Sequence, residues 1–188
     1  MKYSEVFSSD FIEKLNQIKT QESPGVKADN ELECEYIDVE NIVKMLGFQV
    51  ERIENLGASG QLDCKVIKLN KDDVPYRQRF SIAHELGHAM QGQSKANRLG
   101  GRASDYSIDE QKDEVFANKF AARLLMPLKL VSKNINNIIA SNKMDSNKLS
   151  RENVDYIMSE LSSKLQVSLQ SVEFRVRNLN IFVESEEE

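Results

Sequence analysis

The only two histidines of this 188-residue chain stand four apart, in His84-Glu85-Leu86-Gly87-His88. On an α-helix that spacing sets both imidazoles on one face about one turn apart, where they can grip a single cation. Glu85, rotated by about 100° around the axis from His84, reaches a water beside that cation without ligating it. The pattern demands a helix at this point of the chain. It predicts a metal-dependent hydrolase, with zinc as the expected ion and manganese or another divalent cation as alternatives, because nitrogen and oxygen ligands discriminate poorly among them.

The flanking residues give that helix its ends. Asn70, Asp72 or Asp73 supplies a capping side chain, Pro75 suits the first turn, and Phe80, Ala83, Leu86 and Met90 are apolar, so the helix is expected over 75–90. Gly87 in its interior costs about 1 kcal/mol relative to alanine, a penalty that close packing beside the metal would explain. Upstream, a helix capped at Ser9 or Asp10 runs through Phe11, Ile12, Leu15 and Ile18, and Ser23-Pro24-Gly25 interrupts the chain. Asp38 opens a second helix through Val39, Ile42, Val43 and Leu46, with Gly47 as its stop. Phe48 to Ile53 reads as extended, and the alternation of Leu62, Cys64 and Val66 before Ile67-Lys68-Leu69 reads as one or two strands.

Downstream, Gln91 to Tyr106 is polar and contains three glycines, and is expected to form a loop over or beside the site. Ser107-Ile108-Asp109-Glu110 has the spacing of a capping box, opening a helix to Leu125 that Met126-Pro127 ends. An apolar segment over 128–139, an Asn-, Ser- and Lys-rich stretch over 141–150, and two helices over 151–165 and 168–179 complete the chain. The fold class expected is α+β, mostly helical with a small sheet, divided into a main domain over 1–145 and a small C-terminal helical segment over 146–188.

Two histidines leave a catalytic metal one protein ligand short, since such sites take three and keep the fourth position for water. Gln91 and Ser94 occupy the places where a longer histidine motif would continue, so the third ligand falls to a carboxylate or to Cys64. Asp109, Glu110, Asp113 and Glu114 on the later helix are the candidates. Helical phase favours Glu114, which shares a face with Ala117, Asn118 and Ala121, residues small enough to let the two helices approach closely. Asn118, one turn on from Glu114, is placed to accept a hydrogen bond from the non-ligating N–H of a histidine.

Charge and cysteine usage narrow the partners. Lys and Arg total 25 against 30 Asp and Glu, a formal charge of −5, which argues against nonspecific binding along nucleic acid. Cys34 and Cys64 form no CxxC pair and read as free thiols of a reducing compartment. The first residues, Met1-Lys2-Tyr3-Ser4-Glu5, have none of the apolar character of a secretion signal, and no stretch is apolar enough to span a bilayer. A cytoplasmic protein that does not enter membranes is expected.

Two longer stretches carry a resemblance. Arg77-Gln78-Arg79-Phe80-Ser81-Ile82-Ala83-His84-Glu85-Leu86-Gly87-His88, followed by Glu114-Val115-Phe116-Ala117-Asn118-Lys119-Phe120-Ala121-Ala122-Arg123-Leu124-Leu125-Met126-Pro127, resembles the ImmA/IrrE family of metallopeptidases. The likeness is specific over 38–127, where it takes in Ser59-Gly60 and Ile67-Lys68-Leu69-Asn70, and is weak outside that span. It implies a compact, gluzincin-like zincin fold, with His84, His88 and Glu114 on zinc and Glu85 as catalytic base. Members of the family cleave helix-turn-helix repressors, often encoded next door, and relatives occur in toxin–antitoxin-like pairs. The resemblance therefore implies a restricted endopeptidase whose protein substrate is a helix-turn-helix repressor or antitoxin. No further histidine is present to stabilise an oxyanion; Tyr106, Tyr76 or an arginine is left for that role, and Tyr106 is taken as the candidate. The alternating segment 61–69 is the nearest candidate for pairing with an extended substrate, but a sheet whose edges are already covered is the favoured expectation.

A competing reading is a DNA- or repressor-binding regulator whose metal is only structural. Leu161, Leu165, Val167-Ser168, Val172 and Leu179 have the spacing of a small helix-turn-helix, on which Arg175 and Arg177 would touch phosphates. Glu85 speaks against it, since a structural site needs no base, and the acidic balance makes direct DNA binding the weaker expectation.

Overall fold

Most of the described helices of this chain begin where a side chain accepts from a backbone N–H group that would otherwise lack a partner. The computed structural model describes residues 1–97 and 107–182. It opens with a single turn, α1 (Tyr3–Val6), too short for periodicity to announce. Ser8, one residue before the expected Ser9 or Asp10, caps α2 (Ser9–Asn16) by accepting a hydrogen bond from Phe11 N–H. Asp38 caps α3 (Val39–Met45) through Asn41 N–H, and Gly47 follows it at φ +81°. A Cβ at Gly47 would collide with the hydroxyls of Thr20 and Ser23, so space and backbone conformation both require glycine there.

Three strands then build most of the sheet: β1 (Gln49–Ile53), β2 (Gly60–Asp63) and β3 (Val66–Asn70). Cys64 sits between β2 and β3 at φ +55°, so it turns the chain instead of continuing the expected alternation. Leu62, Ile67 and Leu69 are fully buried. Next comes α4 (Pro75–Met90), with the bounds that its sequence predicts. No side chain caps it. Asn70 accepts from Asp72 N–H instead, the Gln78 amide donates to the carbonyls of Lys71 and Asp73, and Pro75 at the first position has no N–H to satisfy.

The segment expected as a loop after α4 contains a fourth strand, β4 (Lys95–Asn97). Strand order is β1-β3-β2-β4, with β1 parallel to β3 and β2 antiparallel to both neighbours. The segment 61–69 has no free edge for a substrate, as the favoured expectation had it. The β2 backbone is already paired on one side with β3 and on the other with β4, Leu62 facing Ala96, and β3 lies between β1 and β2. A polar three-residue strand leaves no periodic signal, so its pairing was invisible in sequence.

The capping box forms as expected at the start of α5 (Ile108–Leu125): Ser107 Oγ accepts from Glu110 N–H, and the Glu110 carboxylate accepts from Ser107 N–H at 2.8 Å. Pro127 separates α5 from α6 (Leu128–Ser141). Ser150 and Ser168 cap α7 (Arg151–Leu165) and α8 (Leu169–Asn178), with Gln166 at φ +55° between them. The class is the expected α+β. Leu62 and Ile67 of the sheet, Leu86 of α4, Leu124 of α5, Leu161 of α7 and Val172 of α8 all belong to one buried cluster. Arg79 of α4 secures the C-terminal helices, donating to the carbonyls of Ile37 and Gln166 while stacking over Tyr36. Among the described residues, no helix is long and apolar enough to cross a membrane.

Candidate metal centre

α4 packs against α3, α5, β2 and β3, and its two histidines face α5. Their Nε2 atoms are 3.0 Å apart, and the Glu114 carboxylate oxygens lie 3.4 Å from His84 Nε2 and 3.3 Å from His88 Nε2. Each carboxylate oxygen approaches one of the two imidazoles, and one donor atom from each of the three residues lies within 4.8 Å of the others, close enough to converge on a single cation. The donor set, two imidazole nitrogens and one carboxylate, is that of a catalytic divalent-cation site. Glu114 retains 24% side-chain exposure while His84 has none, so the triangle is open to solvent on the Glu114 side.

The protonation chemistry agrees. Asn118 Oδ1 can only accept, so at 3.1 Å it takes the N–H of His84 Nδ1 and leaves the Nε2 lone pair pointing into the triangle. The His88 imidazole is held below its ordinary pKa, first by burial and then by its neighbour His84, against the opposing pull of Glu114. It is thereby kept neutral, the form that ligates a metal. Asp113, adjacent to Glu114, accepts from the side-chain amides of Gln91 at 2.6 Å and Gln93 at 2.7 Å. The chain leaving α4 is thus tied to α5 directly behind the ligands.

Two glycines create the room. A Cβ on Gly87 would lie 2.8 Å from Ala117 Cα and 3.2 Å from Ala117 Cβ and carbonyl oxygen. The mid-helix glycine therefore lets α5 approach α4 closely enough for Glu114 to reach the histidines. Gly87→Ala is expected to push α5 outward, at an overpacking cost of about 1–3 kcal/mol partly offset by about 1 kcal/mol of helix propensity. The displaced Glu114 and Asn118 should weaken metal binding by about tenfold or more. Metal titrations of this variant beside Gly57→Ala, where a Cβ meets nothing within 4 Å, check it; equal affinities would refute it.

Glu85 is fully buried, and Gly60 of β2 faces it: a Cβ there would stand 2.9 Å from Glu85 Oε1 and 3.1 Å from Ser81 Cβ. Gly60→Ala should thus displace the carboxylate while sparing the metal ligands, with kcat falling by about tenfold at unchanged metal content. Rate assays paired with metal analysis test this, and an unaltered kcat would dismiss it.

The other sequence candidates have different employment. Asp109 pairs with Lys112, Glu110 closes the capping box, and Asp113 holds the two glutamines. Cys64 is exposed at its turn, and Tyr106 lies outside the described residues. Tyr76 is exposed at the start of α4 and lines a groove that also includes Asn118. The parts played by Asp113, Gln91 and Gln93 carried no signal in sequence, because amide and carboxylate meet across about twenty residues.

The family model described as the IrrE N-terminal-like domain, Peptidase_M78, matches residues 43–177. The chain belongs to this family. The matched span runs beyond Pro127, where the resemblance fades to the eye, through α6 and α7 and into α8. Among curated proteins, none matches. This IrrE-like protein is a metallopeptidase, and in His84, His88 and Glu114 it has a group of side chains that can hold a divalent metal.

Proposed function

We propose that this IrrE-like peptidase is a zinc-dependent endopeptidase that hydrolyses a peptide bond in one regulatory protein, a helix-turn-helix repressor or antitoxin, in the cytoplasm. The observation that carries the reading is the triangle of His84, His88 and Glu114 with the Glu85 carboxylate buried next to it on the same helix. When bound, a divalent cation supplies Lewis acidity, lowering the pKa of water toward about 7 and polarising the scissile carbonyl. Glu85 takes the proton of the attacking water and returns it to the departing amine. Asn118 fixes the tautomer of His84, and burial favours the neutral form of His88.

The repressor can be tested directly as substrate. The zinc-loaded protein is incubated with the helix-turn-helix product of an adjacent gene, with and without chelator. Discrete fragments that disappear with chelator and return with added zinc are the expected result. An intact repressor would remove the substrate assignment, and cleavage indifferent to chelator would remove the metal. Asn118→Ala, which frees the His84 ring, should lower zinc affinity by about 10–100-fold while leaving the fold intact; competition titration against a chelating dye measures this. The regulator reading is disfavoured because a metal that only holds structure needs no carboxylate such as Glu85 buried beside it.

A further inference from the structure

Behind the metal centre, α4, α5 and α8 enclose a groove of about 1110 Å³. Its electrostatics run against the acidic character of the chain. Arg77, Lys119, Arg123 and Arg175 line it, and no carboxylate does among the described residues. Arg77 is compensated by Asp73 at 3.3 Å, but Lys119, Arg123 and Arg175 have no carboxylate partner among the described residues. The Arg175 guanidinium is half-buried, and its pKa is lowered by that burial and further by Arg123. Arg123 stacks over Phe11 and Arg175 donates from Nε to the Met126 carbonyl, so both are held in place by neutral groups, and the cationic lining is left to complement an incoming carboxylate.

The remaining walls say what else the occupant needs. Phe80, Ala122, Met126 and Val167 make part of the lining apolar, while Tyr76 and Phe174, 46% and 55% exposed, present aromatic faces. The volume exceeds the several hundred Å³ of an ordinary small-molecule site. Asn118, whose side chain holds His84, belongs to the same lining, which places the groove beside the reaction centre.

We propose that this groove docks a segment of the protein substrate in which acidic and apolar side chains alternate, away from the bond that is cut. The proposal rests on the peptidase reading only in taking the occupant to be the substrate. A peptide fits better than a nucleic acid. It offers apolar and anionic groups at neighbouring positions, whereas a nucleic acid, although its bases could stack on Tyr76 and Phe174, would meet the net negative charge of the rest of the chain.

The test is fluorescence anisotropy of the zinc-loaded full chain with a labelled peptide of alternating Glu and Leu. Saturable binding is expected, weakened about tenfold by the double variant Lys119→Glu/Arg123→Glu. The charge-matched double variant Lys129→Glu/Lys133→Glu on α6, where both lysines are exposed, should bind as the parent does. Circular dichroism melts confirm that both variants fold. Equal weakening by the two double variants, or no binding by the parent, overturns the proposal. Tighter binding of oligothymidylate that depends on the groove lysine and arginine assigns the groove to nucleic acid instead and also overturns it. Because binding is read without hydrolysis, a protein that binds the peptide but cuts nothing defeats the peptidase reading alone.

Discussion

Glu85→Gln is expected to keep both fold and metal while losing hydrolysis by about 10²–10⁴-fold, the contribution of a positioned general base. The amide has the same shape as the carboxylate, so the space left by Gly60 still accommodates it. Glu85 is outside the triangle of donor atoms, so metal content should not change. What the amide cannot do is accept a proton from water. Single-turnover cleavage of the proposed repressor substrate, run beside metal analysis and a thermal melt, separates these effects. Full-rate cleavage by the variant would mean that another group is the base.

Glu114→Ala should act on the opposite half of the machinery. It removes one of the three side chains that can hold the metal, and its effect on zinc affinity should exceed the roughly 10–100-fold expected for the supporting Asn118. Activity should fall with occupancy. Thermal melts give a second readout, because a ligand that binds only the folded state stabilises it by about 2.7 kcal/mol at a hundred times its dissociation constant. The parent melt should therefore rise with added zinc, and that of Glu114→Ala should not. A variant that keeps stoichiometric zinc after dialysis would move the third ligand elsewhere.

The features legible in sequence are those decided within about one helical turn. The spacing of His84 and His88, the Asp38 cap, the Ser107–Glu110 capping box and the Pro75 start involve residues no more than four apart, and α4 and α5 take the bounds those residues predict. Glu114 stood between the two kinds of information. Its phase on α5 favoured it, but only the contact of Gly87 with Ala117 brings that face of α5 within reach of the imidazoles.

Other features depended on partners far along the chain. β4 exists as a strand because β2 pairs with it, and that pairing moves the sheet edge away from 61–69. Gly60 leaves room for Glu85 from 25 residues upstream, Asp113 grips Gln91 and Gln93, and the cationic groove forms only when α8 folds back beside α4 and α5. Backbone periodicity and capping are short-range and leave a mark in neighbouring letters. Which distant surfaces meet is settled by packing the shared core, and there tertiary structure alone decides.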